Sequence, residues 1–389
     1  MNRLKLLRDI EQSIYGHDIK VGMTEQDKSC AALAKLFLPD YDSQGVPAFK
    51  GIRQAYVHFT GDEQFSGRFD REKMGRELRS CQDINSGTFD YAFQSVLAMY
   101  VSKIYKAANY REEALISLKR PVNDYREVHA IQYGYLDDMP VVDPETENWP
   151  LLGVPKDTEV TYDIDQRGWI LKISMIAFVN DSIGLLKDVL AKIGRSARRT
   201  HARYVWNFFI SNADCMDGAA WFTGGHGNLG SSALDITPLA AAITALADMT
   251  EPGSGEKIGF DLASLNWHLV TPISMWDTAV KTNQKDSYFT GNDLTTKTAN
   301  PCCKIFGEKN ERVITCPFMT DANDWGVLRD ATEIPIIEMS YLDGSEEPVI
   351  SNAVEGEIAF KSDALVYKCI HPYGGNLIDY RGGYKSVVA

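Results

Sequence analysis

Seven histidines and seven cysteines are the residues of this 389-residue chain that could ligate a metal or act as nucleophiles. The histidines stand at 17, 58, 129, 201, 226, 268 and 371, and none forms the His-Glu-x-x-His pair that places two imidazoles on one helix face. No Gly-x-Ser-x-Gly elbow occurs either, so the sequence carries no nucleophilic-serine signature. Cys302, Cys303 and Cys316 could lend thiolates to a metal, but adjacent cysteines rarely chelate one tetrahedral ion, and the histidines lie far off in sequence. With Cys30, Cys81, Cys215 and Cys369 they read as reduced thiols, an odd number without regular spacing. Gly224-Gly225-His226-Gly227-Asn228 is the one glycine cluster that suggests a phosphate cradle. It lacks the Lys-Ser/Thr of a P-loop, and it reads as an irregular loop. No catalytic, cofactor-binding or metal-ligating set is expected.

Charge is distributed more tellingly. Between Leu136 and Arg167 stand nine acids (Asp137, Asp138, Asp143, Glu145, Glu147, Asp157, Glu159, Asp163, Asp165) and two bases (Lys156, Arg167). Paired catalytic carboxylates need a pocket that raises one pKa, and a self-repelling exposed segment gives none. Downstream, Lys192, Arg195, Arg199 and Arg203 share one helix face, with Arg198 beside it. This is a basic rib for nucleic acid or a neighbour's acidic loop, or else a solvated face with internal ion pairs.

The elements that must position these groups follow from periodicity. Leu4, Leu7, Ile10 and Ile14 predict a short amphipathic helix, and residues 38–88, rich in Gly and Pro, predict an extended arm with one strand-like run from Ala55 to Thr60. A helix is expected from Thr88 to Ala108, with Ser86 as a plausible N-cap. Residues 125–175 read as a projecting β-hairpin: strand-like near Val128 to Tyr135, punctuated by Pro140, Pro144, Pro150 and Pro155, then alternating through Val160, Tyr162 and Ile164 to Trp169, Leu171 and Ile173. An isolated ribbon is marginal in water, so this one needs a partner. A long helix from an N-cap at Asp181 or Ser182 to about Asn212 would span roughly 45 Å. Thr237-Pro238 opens another helix to about Met249. A strand is expected at Trp267 to Thr271 and a helix from Met275 to Thr282. An antiparallel pair is expected from Ile334–Tyr341 and Pro348–Ile350 around Asp343-Gly344, with further strand at Leu365–Ile370 and Asn376–Tyr380. A few long helices with hairpins and no βαβ repeat make the fold α+β.

A net charge of −13, from 40 basic and 53 acidic residues, disfavours a protein that coats nucleic acid. Hydrophobic residues at 44% and charged residues at 24% are ordinary globular usage, which excludes disordered and coiled-coil classes. No run approaches the roughly 18 uncharged apolar residues of a membrane helix, so a soluble, cytoplasm-made chain is expected.

The order of parts resembles a phage major capsid protein of the Hong Kong 97 type, and residue by residue the Mu-like major head subunits. The resemblance is carried by Phe178-Val179-Asn180-Asp181, by Arg195 with the small residues around it, by Phe222 with His226-Gly227-Asn228-Leu229, by Ile337-Glu338-Met339-Ser340-Tyr341-Leu342-Asp343-Gly344, and by Ile378-Asp379-Tyr380-Arg381-Gly382-Gly383-Tyr384-Lys385. It covers roughly residues 85 to 389. Residues 1–80 match less clearly, and 286–324 departs from the pattern as a possible inserted loop.

The resemblance implies a structural protein without a cofactor. It divides the chain into an N-terminal arm (1–87), a helical lead-in (88–124), an extended hairpin loop (125–175), a peripheral domain with its spine helix (176–234), an axial domain (235–355) and a C-terminal return (356–389) with the motif residues Asp379, Tyr380, Arg381 and Tyr384. It implies self-assembly through pentamers and hexamers into an icosahedral virion shell around double-stranded DNA. Assembly would take place in a host bacterial cytoplasm, with scaffold, portal and cement proteins as possible partners and no membrane. The acidic tip (Asp137, Asp138, Asp143, Glu145, Glu147) would meet a neighbour's Lys119, Arg120 or the rib at Arg195 to Arg203. An encapsulin-like compartment subunit of the same fold is the alternative, and an enzyme without a recognisable motif is the second.

Overall fold

Apolar side chains recurring every three or four residues can be buried together only along one side of a helix, and those alternating every second residue only on one face of a strand. Both patterns are realised in the computed structural model, which describes residues 25–61, 89–133, 157–174, 176, 180–251, 255, 257–258, 266–290, 296–331, 334–352 and 364–388. The helices are α1 (Glu25–Phe37), α2 (Ile52–Thr60), α3 (Phe89–Ala107), α4 (Ile183–Ser211), α5 (Ile236–Ala247) and α6 (Trp276–Gln284). The strands are β1 (Ile116–Val122), β2 (Val128–Tyr133), β3 (Asp157–Tyr162), β4 (Asp165–Ser174), β5 (Leu229–Gly230), β6 (His268–Pro272), β7 (Ser287–Thr290), β8 (Thr296–Ala299), β9 (Val313–Cys316), β10 (Trp325–Leu328), β11 (Ile337–Leu342), β12 (Val349–Asn352), β13 (Ala364–Leu377) and β14 (Gly383–Ser386). The mixture is α+β, as expected. The helix predicted near the N-terminus, the Ser86 cap and the acidic tip fall outside the described residues.

The chain forms two units. The first draws on Met1–Lys103, Trp169–Ile193 and Ile350–Cys369. Its core gathers Leu33 and Phe37 of α1, Ile52, Tyr56 and Phe59 of α2, Phe89, Phe93 and Leu97 of α3, Leu171 of β4, Leu190 of α4 and Tyr367 of β13. Ala55 to Thr60, expected as a strand, is instead the second half of α2. Ile52, Ala55, Tyr56 and Phe59 are all buried, which is the spacing of one helix face. Of the two expected caps of the long helix, Ser182 directly precedes its first residue, Ile183, while Asp181 has its carboxylate on α2: the Ile52 N–H donates to Oδ1 at 2.6 Å. Gly51 makes this possible, because a Cβ there would collide with that carboxylate.

The second unit comprises Ile104–Gly168, Gly194–Val349 and Ile370–Ala389. One five-stranded sheet runs β1-β11-β13-β12, with β4 also on β13; another runs β5-β14-β10-β6-β9. Within the first, β1 and β11 are parallel, Ile116 opposite Ile337 and Val122 opposite Leu342. The hairpin expected from Ile334–Tyr341 and Pro348–Ile350 does not form, because β13 separates β11 from β12. Asp343 and Gly344 do turn the chain, at φ 52 and 66. The antiparallel edge of β11, however, is taken by the C-terminal half of β13, Tyr341 facing Tyr373 and Ile337 facing Leu377. Those side chains share a core with Val205, Trp206 and Phe209 of α4. The helix after Asp235 begins one residue before the expected Thr237 cap.

Candidate functional site

The hairpin base is the first place where separated stretches of chain converge. β2 and β3 pair antiparallel, from Val128 opposite Tyr162 to Tyr133 opposite Asp157. Alternation puts Val128, Ala130, Tyr162 and Ile164 on one face, where they are buried with Ile378. The ribbon therefore has an intramolecular partner at its base. Four further contacts fix its direction. The Tyr162 hydroxyl donates to Glu338 Oε1 at 2.9 Å. With its single hydrogen committed there, the Tyr162 oxygen accepts from Ser340 at 2.7 Å. Arg120 pairs with the same Glu338 oxygen at 3.0 Å and also donates to the His129 carbonyl at 2.8 Å. Glu338 is almost wholly buried, so its charge has to be met by this donor set. Burial, reinforced by the Glu338 charge, pushes the Tyr162 hydroxyl pKa upward and keeps it a donor.

The other side of the base is held by Arg167, whose guanidinium lies 4.3 Å from the Tyr373 ring centroid and 4.8 Å from that of Tyr204. It also donates to the Tyr373 carbonyl at 2.8 Å. The backbones approach closely because Gly374 has no side chain; a Cβ there would collide with the Asp163 carbonyl.

The Ile337–Gly344 motif now has a physical reading. Period 2 sends Glu338 and Ser340 to the hairpin and Ile337, Met339 and Tyr341 into the core behind. A glutamate inside an apolar strand is the available signal for this anchor; Arg120, expected to receive a neighbour's acidic tip, is paired with Glu338 of its own chain.

Of the residues expected on the basic rib, Arg198 is the one engaged within the chain. Arg198 turns inward, its guanidinium 3.0 Å from Glu112, a carboxylate with no solvent exposure, and over the Tyr105 ring at 5.1 Å. Its Nε donates to the Ala108 carbonyl at 3.1 Å. Glu112 also meets His201 Nδ1 at 3.3 Å, and His201 Nε2 lies 2.9 Å from the Tyr341 hydroxyl. His371, stacked near His201, is held neutral: burial, with the His201 and Arg charges, lowers its pKa to about 3. A half-open cleft of about 200 Å³ adjoins this cluster, lined by Lys106, Glu113, Glu346 and Glu347 among others. Lys192, Arg195, Arg199 and Arg203 remain exposed, and Arg203 stands 5.5 Å from the Phe318 ring.

The two glycine-bearing motifs meet in a second knot. Asn228 is fully buried. Its amide donates to the carbonyls of Trp221, Tyr380 and Gly383 at 2.8, 3.3 and 3.2 Å, and its oxygen accepts from the Thr223 N–H at 3.1 Å. The His226 ring lies flat on Tyr380, centroids 3.8 Å apart. Asp379 accepts from the Arg381 N–H at 2.9 Å and pairs with its guanidinium at 3.1 Å; that guanidinium donates to the Thr250 carbonyl at 2.7 Å. Tyr384 fills the space left by Gly230. The loop read from Gly224 to Asn228 is thus a tie for the C-terminal strand.

The cysteines are dispersed. Cys302 and Cys316 are buried, which pushes both thiols up to about 11, while the Cys303 thiol faces Asp286 at 3.3 Å. Among the described residues no group of three His, Cys, Asp or Glu is placed to hold a metal, and no helix is long and apolar enough to cross a membrane.

Comparison with known proteins gives one family: a phage capsid protein model matches residues 157–386. No curated protein matches in sequence. Among solved structures the chain is similar to the capsid of a native GTA particle, at 13% identity, 72% of this chain, 92% of that one and TM-score 0.44. It is similar to a virus-like particle from Pyrococcus furiosus at 7% identity, 76% and 99% coverage and TM-score 0.42. The capsid of Staphylococcus phage Andhra is similar at 9% identity, 72% and 84% coverage and TM-score 0.40.

Proposed function

This chain belongs to the phage capsid protein family, and from that membership we propose that it is the major head subunit of a tailed phage, of the Hong Kong 97 type and nearest in its motifs to the Mu-like subunits. Copies associate through pentamers and hexamers into an icosahedral shell that encloses double-stranded DNA, and the virion capsid is where the chain resides. Scaffold, portal and cement proteins are its further partners.

The observation that carries this reading, beyond the family match, is the double anchorage of the hairpin base. Arg120, Glu338 and Ser340 grip Tyr162 on one side, and Tyr204 and Tyr373 grip Arg167 on the other. A subunit that reaches onto a neighbour needs its reaching element fixed in direction before contact, since freezing it on binding would cost conformational entropy at every contact of the shell. A buried carboxylate with two kinds of donor is a costly arrangement for stability alone, and it suits a part whose aim must be held. Repetition of one heterologous contact closes into rings and shells.

Electron microscopy of gradient-purified material from cells producing the chain tests the reading. Closed shells or five- and six-membered rings are expected; monomers and dimers only would contradict it. Particles filled with one companion enzyme would indicate the compartment subunit instead.

A further inference from the structure

Both ring nitrogens of His226 face groups that accept hydrogen bonds. Nδ1 lies 3.0 Å from the Trp221 carbonyl, and Nε2 lies 2.7 Å from Oδ2 of Asp217. A carbonyl oxygen carries no hydrogen, so Nδ1 must donate to it. A neutral ring then has no second hydrogen, and its Nε2 lone pair would point at the Asp217 carboxylate. The two oxygens are satisfied together only when a further hydrogen sits between Nε2 and Oδ2. It belongs on the ring, since a histidine is ordinarily a stronger base than an aspartate. His226 is therefore a double donor, an imidazolium paired with Asp217. The ring is 9% exposed and the carboxylate 41%, so the shared hydrogen has a way out to solvent on the Asp217 side.

The neighbouring charges agree with this state. The His226 ring lies flat on Tyr380, 8° from parallel, and the Arg381 guanidinium stands 4.3 Å from the same ring centroid. A cation over a phenol face is attracted by the ring quadrupole. Arg381 is in turn paired with Asp379. With His226 charged, two cations balance two carboxylates; with it neutral, one carboxylate is left over. The other titratable groups facing this set are Cys215 and Tyr380. Burial pushes the Cys215 thiol up to about 12 and raises the Tyr380 hydroxyl, so neither changes charge near neutrality. Asp217 itself is fixed in a turn closed by the Cys215 N–H on the Ala219 carbonyl at 2.8 Å, and its Oδ1 takes the Ala219 N–H at 3.0 Å. Tyr380 opens the short turn Tyr380–Gly382 that leads into β14.

We propose that the His226–Asp217 pair is a proton-held clasp on Tyr380, closed while the second ring hydrogen is present and open once it is withdrawn, and that it sets how firmly the C-terminal strand β14 is held. The sign follows from the two states of the chain. The folded chain keeps a hydrogen that the unfolded chain gives up in the ordinary histidine range, at about pH 6.5. The clasp is complete below that range and is lost as pH rises.

The test uses the full chain, His226→Gln and Asp217→Asn. In Asp217→Asn the carboxamide can donate to Nε2 of a neutral ring, so this clasp closes without the second hydrogen. Nitrogen-15 spectra of histidine-labelled protein at pH 7, with the His226 signals identified by their loss in His226→Gln, should show hydrogens on both nitrogens in the parent and on one in Asp217→Asn. A bare nitrogen in the parent would overturn the inference. Hydrogen exchange of the β14 amides between pH 6 and 8, taken as the ratio of parent to Asp217→Asn at each pH, removes the chemical pH dependence of exchange. Protection of the parent should fall on this ratio by up to about tenfold per pH unit, one proton being linked. A ratio that stays level would overturn the clasp even if the ring is charged, and so would a His226→Gln chain whose β14 is as protected as the parent's at pH 6. Should His226→Gln fail to fold, the parent and Asp217→Asn ratio still decides.

Discussion

Tyr162, at the end of the hairpin strand β3, donates its hydroxyl hydrogen to the buried carboxylate of Glu338 on β11 at 2.9 Å. The contact joins the base of the β2-β3 hairpin to the sheet that holds β11, and Arg120 completes the charge balance from the neighbouring strand β1.

Tyr162→Phe keeps the ring's packing and removes that hydrogen bond from a buried charged acceptor. The expected loss of stability is about 1.5 to 3 kcal/mol, read as a lower denaturant midpoint with an unchanged slope. Glu338→Gln, which keeps the shape and removes the charge, should weaken Arg120's attachment and slow assembly more than it lowers the midpoint. A Tyr162→Phe chain with parental stability would show that the anchor is not formed in solution.

Asn228 makes four hydrogen bonds with no exposure to water. Asn228→Ala leaves three carbonyls and one N–H without this partner, and a destabilisation of roughly 2 to 4 kcal/mol is expected from such a site. Asn228→Asp should be worse still, because a carboxylate would face three carbonyl acceptors. Urea unfolding of the three proteins checks the order.

Arg198→Met strands the Glu112 carboxylate, whose Oε2 has no hydrogen-bond partner among the described residues. Breaking one partner of a buried pair costs about 3 to 5 kcal/mol. Glu112→Gln combined with Arg198→Met should recover much of that loss, because no buried charge then remains. A double-mutant cycle measures the coupling.

Acid should destabilise the second unit through His371 and His268. Burial lowers the first to about 3 and the second to about 4, from an ordinary value near 6.5. The unfolded chain therefore binds protons that the native chain refuses. Their contribution to stability is complete above the ordinary histidine range and is lost as pH falls from there toward 3 to 4, at up to about 1.4 kcal/mol per pH unit for each imidazole. His371→Gln should flatten that slope by about half between pH 6 and 4. An unchanged slope would show that His371 already ionises in the native state.

Much of the fold was legible because its signals are local. The apolar stripe from Ile183 through Leu190 to Phe209 is long enough to mark α4, and the alternation of Val160 and Tyr162 marks β3; Trp169, Leu171 and Ile173, expected to continue that hairpin strand, belong instead to β4, which pairs with β13. Ala55 to Thr60 was misread because six residues cannot distinguish period 2 from period 3.6, and the deciding residue, Ile52, lies just upstream. Strand partnership is a different matter: β11 and β12 are separated by a strand that comes later in the chain, and no local pattern reports that. The same holds for charge. Arg195, Arg198 and Arg199 look alike in sequence, and only the distant Glu112, brought against α4 by the fold, tells which of them is spent.

The most direct test of the central claim is the mass of the species that the full chain forms, measured by light scattering on the chromatographic peak with negative-stain images of the same fractions. The account predicts discrete assemblies with five- or six-fold symmetry, whose masses are multiples of 43.4 kDa, and closed shells at high concentration. A homogeneous 43.4 kDa species that persists at every protein and salt concentration would contradict it.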